Sequence, residues 1–241
     1  MPPCVQYDDP WPGGPRFARS GAGFALGTDS VLLADFAADR RVRRFADLGC
    51  GAGVLTVLLL HALPQAAAVG VELQPDAAQL CRNNLEANGL TGRAQILCAD
   101  LREHRAVLPA GSFDLVVANP PYFAAGSGYT CPTPCARTRA RRAAPAPWTS
   151  ALPWPIHALG RLGRARAPAG AAERAAVRSL SPPGSSPRAC APWRTRRDGG
   201  AQPVLVEARR AEPGSLLPPL ALCAPDGTDS EEIRRIYHRR T

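Results

Sequence analysis

The sequence predicts an α/β protein with a Rossmann-like three-layer sandwich, built around a mostly parallel sheet. Over residues 29–118, short apolar runs that suit buried strands alternate with longer segments that suit helices. A glycine-rich turn follows the first apolar run, and a proline-rich turn follows the last. Such alternation is typical of parallel strands joined by right-handed helical crossovers. In sheets of this kind ligands bind beyond the carboxyl ends of the strands, where both turns fall.

The elements follow one another in a regular order. Strands are predicted at residues 44–48, 67–72, 94–98 and 113–118, and helices at residues 29–36, 54–62 and 75–89. In the third helix, Pro75 occupies the first turn and Gly89 lies just past the end, where each residue type is favoured. Thr28 or Asp29 is expected to cap the first helix, because both side chains accept hydrogen bonds from free N–H groups.

Composition restricts the class of protein. The sequence has no apolar run of about 18 residues or more, and its first residues lack the basic region and apolar stretch of a signal peptide. We therefore expect a cytoplasmic protein without a membrane partner, in which the eight Cys are reduced. The His residues are scattered, and Cys131 and Cys135 lack zinc-ligand spacing, so no metal is predicted. The oligomeric state is left open, with a monomer favoured.

The net charge of +9 comes from one segment. Residues 131–200 contain 13 Arg and two acidic residues, whereas the rest of the chain contains 16 Arg and 18 acidic residues. The same segment has six residues of Leu, Ile or Val and recurrent Pro, without strand or helix periodicity. Such a composition buries too little apolar area to offset the entropy lost on ordering. No strand is therefore expected between residues 131 and 200.

Three interpretations of this segment compete: a disordered Arg/Pro/Ala-rich insertion, an RNA-binding arm, and a translated wrong reading frame. We favour the wrong frame, because a GC-rich gene read out of frame gives such a composition and the sequence on both sides is regular. The predicted organisation is residues 1–130 as the ligand-binding and catalytic part, 131–201 as the anomalous segment, and 202–241 as the last strand and tail of the same domain. Residues 202–208 suggest an edge-like strand, and 230–240 a short helix with a basic end.

The glycine-rich turn indicates a ligand. Gly49, Gly51 and Gly53 let the backbone turn sharply and approach a ligand closely, which a Cβ would prevent. The spacing is GxGxG rather than the GxGxxG of dinucleotide binders, and Asp47 precedes it. An acid here suits a cationic amine and would repel a pyrophosphate. The turn therefore favours a nucleotide-like ligand that carries an amine, with a plain tight turn as the alternative.

Two further acids follow the next strands. Glu72 ends the second strand, 25 residues after Asp47, and a carboxylate there can accept hydrogen bonds from both hydroxyls of a ribose. Asp100 follows the third strand and is placed to accept from an adenine amino group. A solvated strand-end acid is the alternative for Glu72, and a helix cap is the alternative for Asp100.

The candidate catalytic residues are Asn119, Pro120, Pro121 and Tyr122, which follow the fourth strand. An exocyclic amine on a base is a poor nucleophile, because its lone pair is delocalised into the ring. The Asn119 side-chain oxygen and the Pro120 carbonyl can accept its two N–H bonds and draw the nitrogen toward sp³ geometry. Two prolines stiffen the loop, and Tyr122 can stack on a planar base. A turn without function is the alternative.

Together these motifs resemble those of the class I methyltransferases with a small methyltransferase domain, which use S-adenosylmethionine. The stretch FALGTDSVLLA at residues 24–34 looks like the bacterial tRNA(Val) adenine-N6 methyltransferase family. The resemblance covers about residues 20–130 and 202–240. It implies S-adenosylmethionine as cofactor, tRNA as partner and methylation of adenine N6 beside the anticodon. The implied cofactor-binding residues are Thr28, Asp29, Asp47, Gly49, Gly51, Gly53, Glu72, Asp100 and Asn119.

Other functions remain open at this point. A protein-glutamine N5 methyltransferase uses the same tetrapeptide, but normally carries a helical domain before the glycine motif, and 46 residues precede Asp47 here. A ribosomal-RNA guanine-N2 methyltransferase shares the tetrapeptide and usually has an additional domain. A degenerate, inactive homologue is a further alternative, because the family's core strand after the proline motif is not found in residues 131–200. The lead-in at residues 11–16 also departs from the family's short apolar strand.

Overall fold

The computed structural model describes residues 6–18, 26–103, 108–109, 111–119, 159–167, 185–194, 204–210, 220–224 and 226–238. The strands within these ranges are β1 Tyr7–Asp8, β2 Phe17–Ala18, β3 Arg44–Leu48, β4 Ala67–Glu72, β5 Ala94–Cys98, β6 Phe113–Ala118, β7 Leu159–Ala167, β8 Ser185–Arg194, β9 Val204–Arg210 and β10 Leu220–Ala221. The helices there are α1 Thr28–Ala37, α2 Val54–Ala62, α3 Pro75–Ala87 and α4 Glu231–Ile236, with 3₁₀ turns at Thr91–Arg93 and Leu101–Glu103.

Eight of these strands form one sheet in the order β5-β4-β3-β6-β7-β9-β8-β10. β3 pairs in parallel with β4 and β6, and β5 and β7 extend the parallel part on either side. β9 runs antiparallel between β7 and β8. β1 and β2 form a separate antiparallel pair. The predicted fold class, a mostly parallel sheet with helical crossovers, is confirmed.

The predicted elements before residue 119 match the structure closely. β3, β4, β5, β6 and α2 have the predicted bounds, and α3 ends at Ala87, with Gly89 in the left-handed region at φ +66°. The expected cap of α1 is wrong, because Gly27 is the N-cap residue and no side chain caps the helix. The Asp29 carboxylate instead accepts a hydrogen bond from the side chain of Asn119.

Two predictions about the later part of the chain are wrong. β7 and β8 lie within residues 131–200, where the composition predicts no strand. β9 lies between two neighbours rather than at an edge. The physical reason is that strands pair through backbone groups, which every residue other than Pro carries in full whatever its side chain. Periodicity and composition report on side-chain burial, so they gave no signal for these strands.

The core occupies both faces of the sheet. Alternate residues of β3 point to opposite faces, so Phe45 joins a large cluster with α1, α2 and α3, whereas Ala46 and Leu48 join a smaller cluster with Phe113. The first seven residues of α2 are all buried, as its uniformly apolar sequence predicts. Among the described residues no helix combines the length and apolarity needed to cross a membrane.

The C-terminal helix α4 packs against α1. The Ser230 hydroxyl caps α4 by accepting from the Ile233 N–H at 3.2 Å, and Ile233 and Ile236 are buried in the large cluster. Arg235 donates two hydrogen bonds to the carboxylate of Asp35 in α1, at 2.8 and 2.9 Å. The predicted helix at residues 230–240 is thus confirmed over Glu231–Ile236, and one of its faces is buried rather than solvated.

Candidate active site

The carboxyl ends of β3, β4, β5 and β6 meet at one edge of the sheet. Asp47 lies in register with Gly70 of β4 and with Val117 of β6, and Glu72 lies in register with Cys98 of β5. The loops that leave these strands therefore start side by side. All the predicted site residues that the structure describes, apart from Thr28 and Asp29, lie at this edge or in these loops.

The glycine turn connects β3 to α2. Gly49, Gly51 and Gly53 have φ values of +72°, +56° and +81°, in the left-handed region that residues with a Cβ rarely adopt. A Cβ at Gly49 or Gly51 would meet no atom within 4 Å, so the turn leaves open space where a ligand can approach the backbone. A Cβ at Gly53 would collide with the sulfur of Cys81. Gly53 therefore allows the turn to pack on α3, while Gly49 and Gly51 face space.

Glu72 ties two loops together at the end of β4. One carboxylate oxygen accepts from the Gly51 N–H at 2.9 Å, and the other accepts from the Gln74 N–H at 2.9 Å. Because each carboxylate oxygen has two lone pairs, both keep acceptor capacity for a further donor. The side chain is buried but lies at the open edge, so it suits the predicted role toward a ribose.

Asp47 lies beneath the turn, with only 1% of its surface exposed. Its carboxylate accepts a hydrogen bond from the Thr56 hydroxyl at 2.6 Å. Burial raises the pKa of Asp47 from 3.8 to about 7, and the hydrogen bond from Thr56 opposes that shift. A nearby cation would strongly stabilise the charged form of an acid that is buried in this way, which fits the predicted preference for a ligand amine. Thr56, in the first turn of α2, is a partner that sequence reasoning missed.

Asn119 follows β6 directly, and its side-chain amide is held by the start of α1. Its Nδ2 donates to the Ser30 hydroxyl oxygen at 2.9 Å and to the Asp29 carboxylate at 3.3 Å. The structure thus brings together two residues that are 90 positions apart in the chain and that the sequence assigned to one site. Thr28 is the first residue of α1, beside Asp29. Ser30 is a partner that the sequence analysis missed, although it lies within the family-like stretch.

Beyond the ends of β4 and β5 the edge is more open. Asp100 lies two residues past β5, next to the 3₁₀ turn. Leu73 follows Glu72 and is 43% exposed, the one large hydrophobic residue among those described that is so exposed. The Cys98 sulfur lies 3.8 Å from the Leu73 carbonyl oxygen. An exposed Leu at a strand end can stack against a planar ring, and the sequence analysis missed it.

Pro120, Pro121 and Tyr122, the rest of the predicted catalytic tetrapeptide, lie outside the described residues. Cys50, inside the glycine turn, is a poor candidate for a nucleophile. A hydrogen bond with Cys81 and burial raise the pKa of its thiol, so the thiol stays protonated. Among the described residues, no three His, Cys, Asp or Glu side chains form a group that could hold a metal ion.

The residues at this edge fit S-adenosylmethionine. The cofactor carries a ribose diol, an adenine ring and a methionine part with an ammonium group and a sulfonium. Glu72 offers acceptors to a diol, Leu73 an apolar surface to a ring, and Asp47 an acid whose charged form a cation would stabilise. The open space at Gly49 and Gly51 gives the backbone of the turn close access to the ligand.

Comparison with known proteins agrees with this geometry. Residues 20–131 match the family model of the methyltransferase small domain. The tRNA1(Val) (adenine(37)-N6)-methyltransferase of Yersinia pestis (strain Pestoides F) is 39% identical over 100 residues, which are 41% of this chain and 40% of the relative. The protein of the same name from Yersinia pseudotuberculosis (serotype O:1b, strain IP 31758) matches equally. The match therefore spans about two fifths of the length of these relatives.

Two solved structures have folds similar to that of this chain. A predicted O-methyltransferase, protein Atu636 from Agrobacterium tumefaciens, has a TM-score of 0.62 at 21% identity, over 88% of this chain and 96% of that one. TYW2 from P. horikoshii, in complex with MeSAdo, has a TM-score of 0.52 at 14% identity, over 81% of this chain and 68% of that one. The predicted class I methyltransferase fold is thereby confirmed, and residues 20–131 of this chain are similar to the methyltransferase small domain.

Proposed function

We propose that this protein transfers a methyl group from S-adenosylmethionine to an exocyclic amino group, with adenine N6 beside the anticodon of a tRNA as the substrate. The observation that carries the proposal is the position of Asn119. It lies at the end of β6, and its side chain is hydrogen-bonded to residues at the start of α1. It lies along the same sheet edge as the glycine turn, because β6 and β3 are paired neighbours. An amide there can bind an amine beside the cofactor.

The contacts of Asn119 support an orientation in which the acceptor side of its amide faces the substrate. A carboxylate only accepts hydrogen bonds, so the Asn119 group that faces Asp29 must be the donor Nδ2. The acceptor Oδ1 is then on the other side of the amide. Holding an acceptor in place before the substrate arrives lowers the cost of reorganisation when charge develops on the amine. In this role Asp29 and Ser30 position Asn119, and Asn119 contacts the substrate.

The remaining residues of the site bind and orient the cofactor. The bound cofactor supplies a methyl group that an amine nitrogen can take, and transfer forms a nitrogen–carbon bond as the sulfur–carbon bond breaks. Positioning of the nitrogen in line with that methyl group contributes most of the rate enhancement. The extra proton leaves the nitrogen after transfer and goes to water, so no general base is assigned. Glu72 and Asp47 hold the cofactor from the glycine-turn side.

The choice of substrate rests on the relatives. The Yersinia proteins are named for methylation of adenine 37 in tRNA1(Val), and the region they share with this chain is 100 residues long. A tRNA substrate for this chain is therefore our proposal, supported by the match of the shared region.

The test uses the full chain in three steps. Calorimetry first measures binding of S-adenosylmethionine, and we expect saturable binding at a single site. Incubation with unmodified tRNA transcripts, followed by mass spectrometry of the nucleosides, should then show N6-methyladenine. The Asn119→Ala variant should bind the cofactor with a Kd within about threefold of the wild type, yet lose transfer by about a hundredfold or more.

The outcomes separate the alternatives. A wild-type protein that binds the cofactor but methylates only a glutamine-containing peptide or only guanine N2 in ribosomal RNA would replace our substrate with one of those. A protein that binds the cofactor and methylates none of them would be a degenerate homologue. Full activity in Asn119→Ala would remove the catalytic assignment. Thr91→Ala, at a turn away from the site edge, is the matched surface control.

A further inference from the structure

We infer that Asn84 is a positioning residue that sets the affinity for S-adenosylmethionine by holding the glycine turn. The inference rests on the proposed function, because it concerns the same cofactor site. Asn84 lies in α3, and because 0% of its surface is exposed it has no surface open to a ligand. Nothing in its sequence context distinguishes it from the neighbouring Asn83 and Asn88. Its burial and its hydrogen bonds do.

The Asn84 amide spans two separate parts of the chain. Its Nδ2 donates to the carbonyl oxygen of Ala52 at 2.9 Å, and its Oδ1 accepts from the N–H of Ala18 in β2 at 2.8 Å. Both ends of the amide are satisfied in a fully buried position, where losing a partner leaves a polar backbone group without compensation. A single side chain thus joins the N-terminal strand pair to the glycine turn.

The contact with Ala52 falls at a sensitive point of the turn. Ala52 lies between Gly51 and Gly53, which both have positive φ values. The Gly51 N–H is held by Glu72 and the Ala52 carbonyl by Asn84, so two side chains hold adjacent residues of the turn from different elements. A glycine-rich turn has many accessible conformations when it is unrestrained. Holding it in one conformation before the ligand arrives reduces the entropy lost on binding.

Asn88, the C-cap residue of the same helix, offers a matched control. It lies one turn after Asn84. Its amide accepts from the Arg16 N–H at 2.8 Å and donates to the Arg16 carbonyl at 2.7 Å and to the backbone carbonyl of Asn84 at 2.6 Å. Asn88 therefore anchors the N-terminal segment as Asn84 does, but its hydrogen bonds do not reach the turn. Removing either amide should loosen the β2 region. Only removal of the Asn84 amide should also release Ala52.

The experiment compares Asn84→Ala and Asn88→Ala in the full chain. For each variant, calorimetry gives the Kd for S-adenosylmethionine, thermal unfolding gives Tm, and tRNA methylation gives KM for the cofactor and kcat. We expect both variants to melt below the wild type. Asn84→Ala should raise Kd and KM by about tenfold or more with kcat changed less than about threefold, whereas Asn88→Ala should leave Kd within about twofold.

A second variant keeps the inference testable if Asn84→Ala does not fold. Asn84→Asp keeps an acceptor for the Ala18 N–H, and its protonated form can donate to Ala52 as the amide does. When ionised, it faces the Ala52 carbonyl with an acceptor. The ratio of its Kd to that of the wild type should therefore rise as the pH increases from about 5.5 to 8.5, because burial raises the pKa of a carboxyl into that range.

The results that would overturn the inference are specific. A folded Asn84→Ala that binds the cofactor like the wild type would show that the residue is structural only. An equal rise of Kd in Asn88→Ala would assign the effect to docking of the N-terminal segment instead. If the wild type binds the cofactor but methylates no RNA, the proposed function fails while the Kd comparison still decides this inference. If the wild type binds no cofactor, both fail.

Discussion

The two edges of the sheet use polar side chains in different ways. At the amino-terminal edge, the Arg93 guanidinium donates to the carbonyls of Leu60, Leu63 and Ala66, which the end of α2 and the loop after it leave open. At the carboxyl-terminal edge, the Asp47 carboxylate is buried with one side-chain donor, and its pKa is raised. The first arrangement stabilises the fold. The second lowers stability and leaves a group that a ligand can satisfy.

This contrast separates residues of stability from residues of binding. Asp114, like Arg93, stabilises the fold. Its carboxylate accepts hydrogen bonds from the backbone N–H groups of Arg43 and Arg44, at 2.9 and 3.0 Å, where β3 begins. Glu72 belongs with Asp47 at the ligand side. Substitutions at the amino-terminal edge should therefore change the free energy of unfolding and spare cofactor affinity. Those at the carboxyl-terminal edge should change cofactor affinity, and removal of the buried charge of Asp47 should also raise the free energy of unfolding.

The largest expected effect is a pH-dependent stabilisation by Asp47→Asn. Below about pH 4, Asp47 is protonated in both the folded and the unfolded chain. Between about pH 4 and 7 the folded state keeps the proton that the unfolded state has lost, so the free energy of unfolding falls with rising pH. The Asp47→Asn variant, which has no proton to lose at this position, would not show this fall. Without cofactor, the variant should exceed the wild type by on the order of 4 kcal/mol at pH 8 and match it near pH 4.

Denaturant melts of both proteins at pH 4, 6 and 8 measure the difference. Calorimetry of the same variant at pH 8 should show weaker cofactor binding, because the acid that favours the ligand cation is gone. Equal stability at all three pH values would mean that Asp47 is not desolvated as its burial indicates. Stabilisation together with unchanged affinity would remove Asp47 from the cofactor site.

The next largest effect is expected from Arg93→Ala. The change leaves carbonyl groups of three residues without their donor at the end of α2 and in the loop after it, which should lower the free energy of unfolding by about 3 kcal/mol. Chemical denaturation monitors the loss, and the Kd for S-adenosylmethionine should stay within about twofold. Arg82→Ala, a more exposed Arg with a single backbone acceptor in Ile96, is the control and should cost less. A large rise in Kd for Arg93→Ala would break the separation of the two edges.

Glu72→Gln should have a smaller but more specific effect. The amide replaces one acceptor oxygen by an NH₂ group that must face the N–H of Gly51 or of Gln74. Loss of one charge-assisted contact costs about 1.5–3 kcal/mol, so cofactor affinity should fall by roughly ten- to a hundredfold. Calorimetry measures the Kd for the cofactor, and Glu86→Gln on the exposed face of α3 is the control. Unchanged affinity would mean that Glu72 only holds the two loops together.

How much the sequence predicts also differs between the two edges. Short motifs whose chemistry requires particular residue types contain Asp47, the three glycines, Glu72 and Asn119. The sequence therefore places these residues at one edge without any contact information. Their partners Thr56 and Ser30 lie in ordinary helical sequence and become recognisable only when the fold brings them within hydrogen-bonding distance. A motif identifies a functional group, but its hydrogen-bonding partners depend on tertiary packing.

The same limit explains the errors in the fold. The strands β3, β4 and β6 have apolar side chains that reveal them, because they are buried between layers. β7 and β8 carry no such pattern, and their pairing is a backbone property that composition does not report. The interior position of β9 follows from β8, so one missed strand causes the second error. Arg93 is likewise invisible in sequence, since its four hydrogen bonds go to carbonyl oxygens that any residue type carries.

The smallest expected effect concerns the pair of Arg235 and Asp35, which joins α4 to α1. The pair has two well-formed hydrogen bonds, but both side chains are substantially exposed, so breaking it by Arg235→Gln should lower stability by about 0.5–1 kcal/mol. Because α1 also carries Asp29 and Ser30, the same change tests whether stability of α1 affects transfer. A thermal melt at low and high salt measures the first effect, and kcat measures the second. An unchanged kcat would show that the hydrogen bonds at the start of α1 position Asn119 without support from α4. A fall in kcat beyond about threefold would show that α4 supports the site by holding α1 in place.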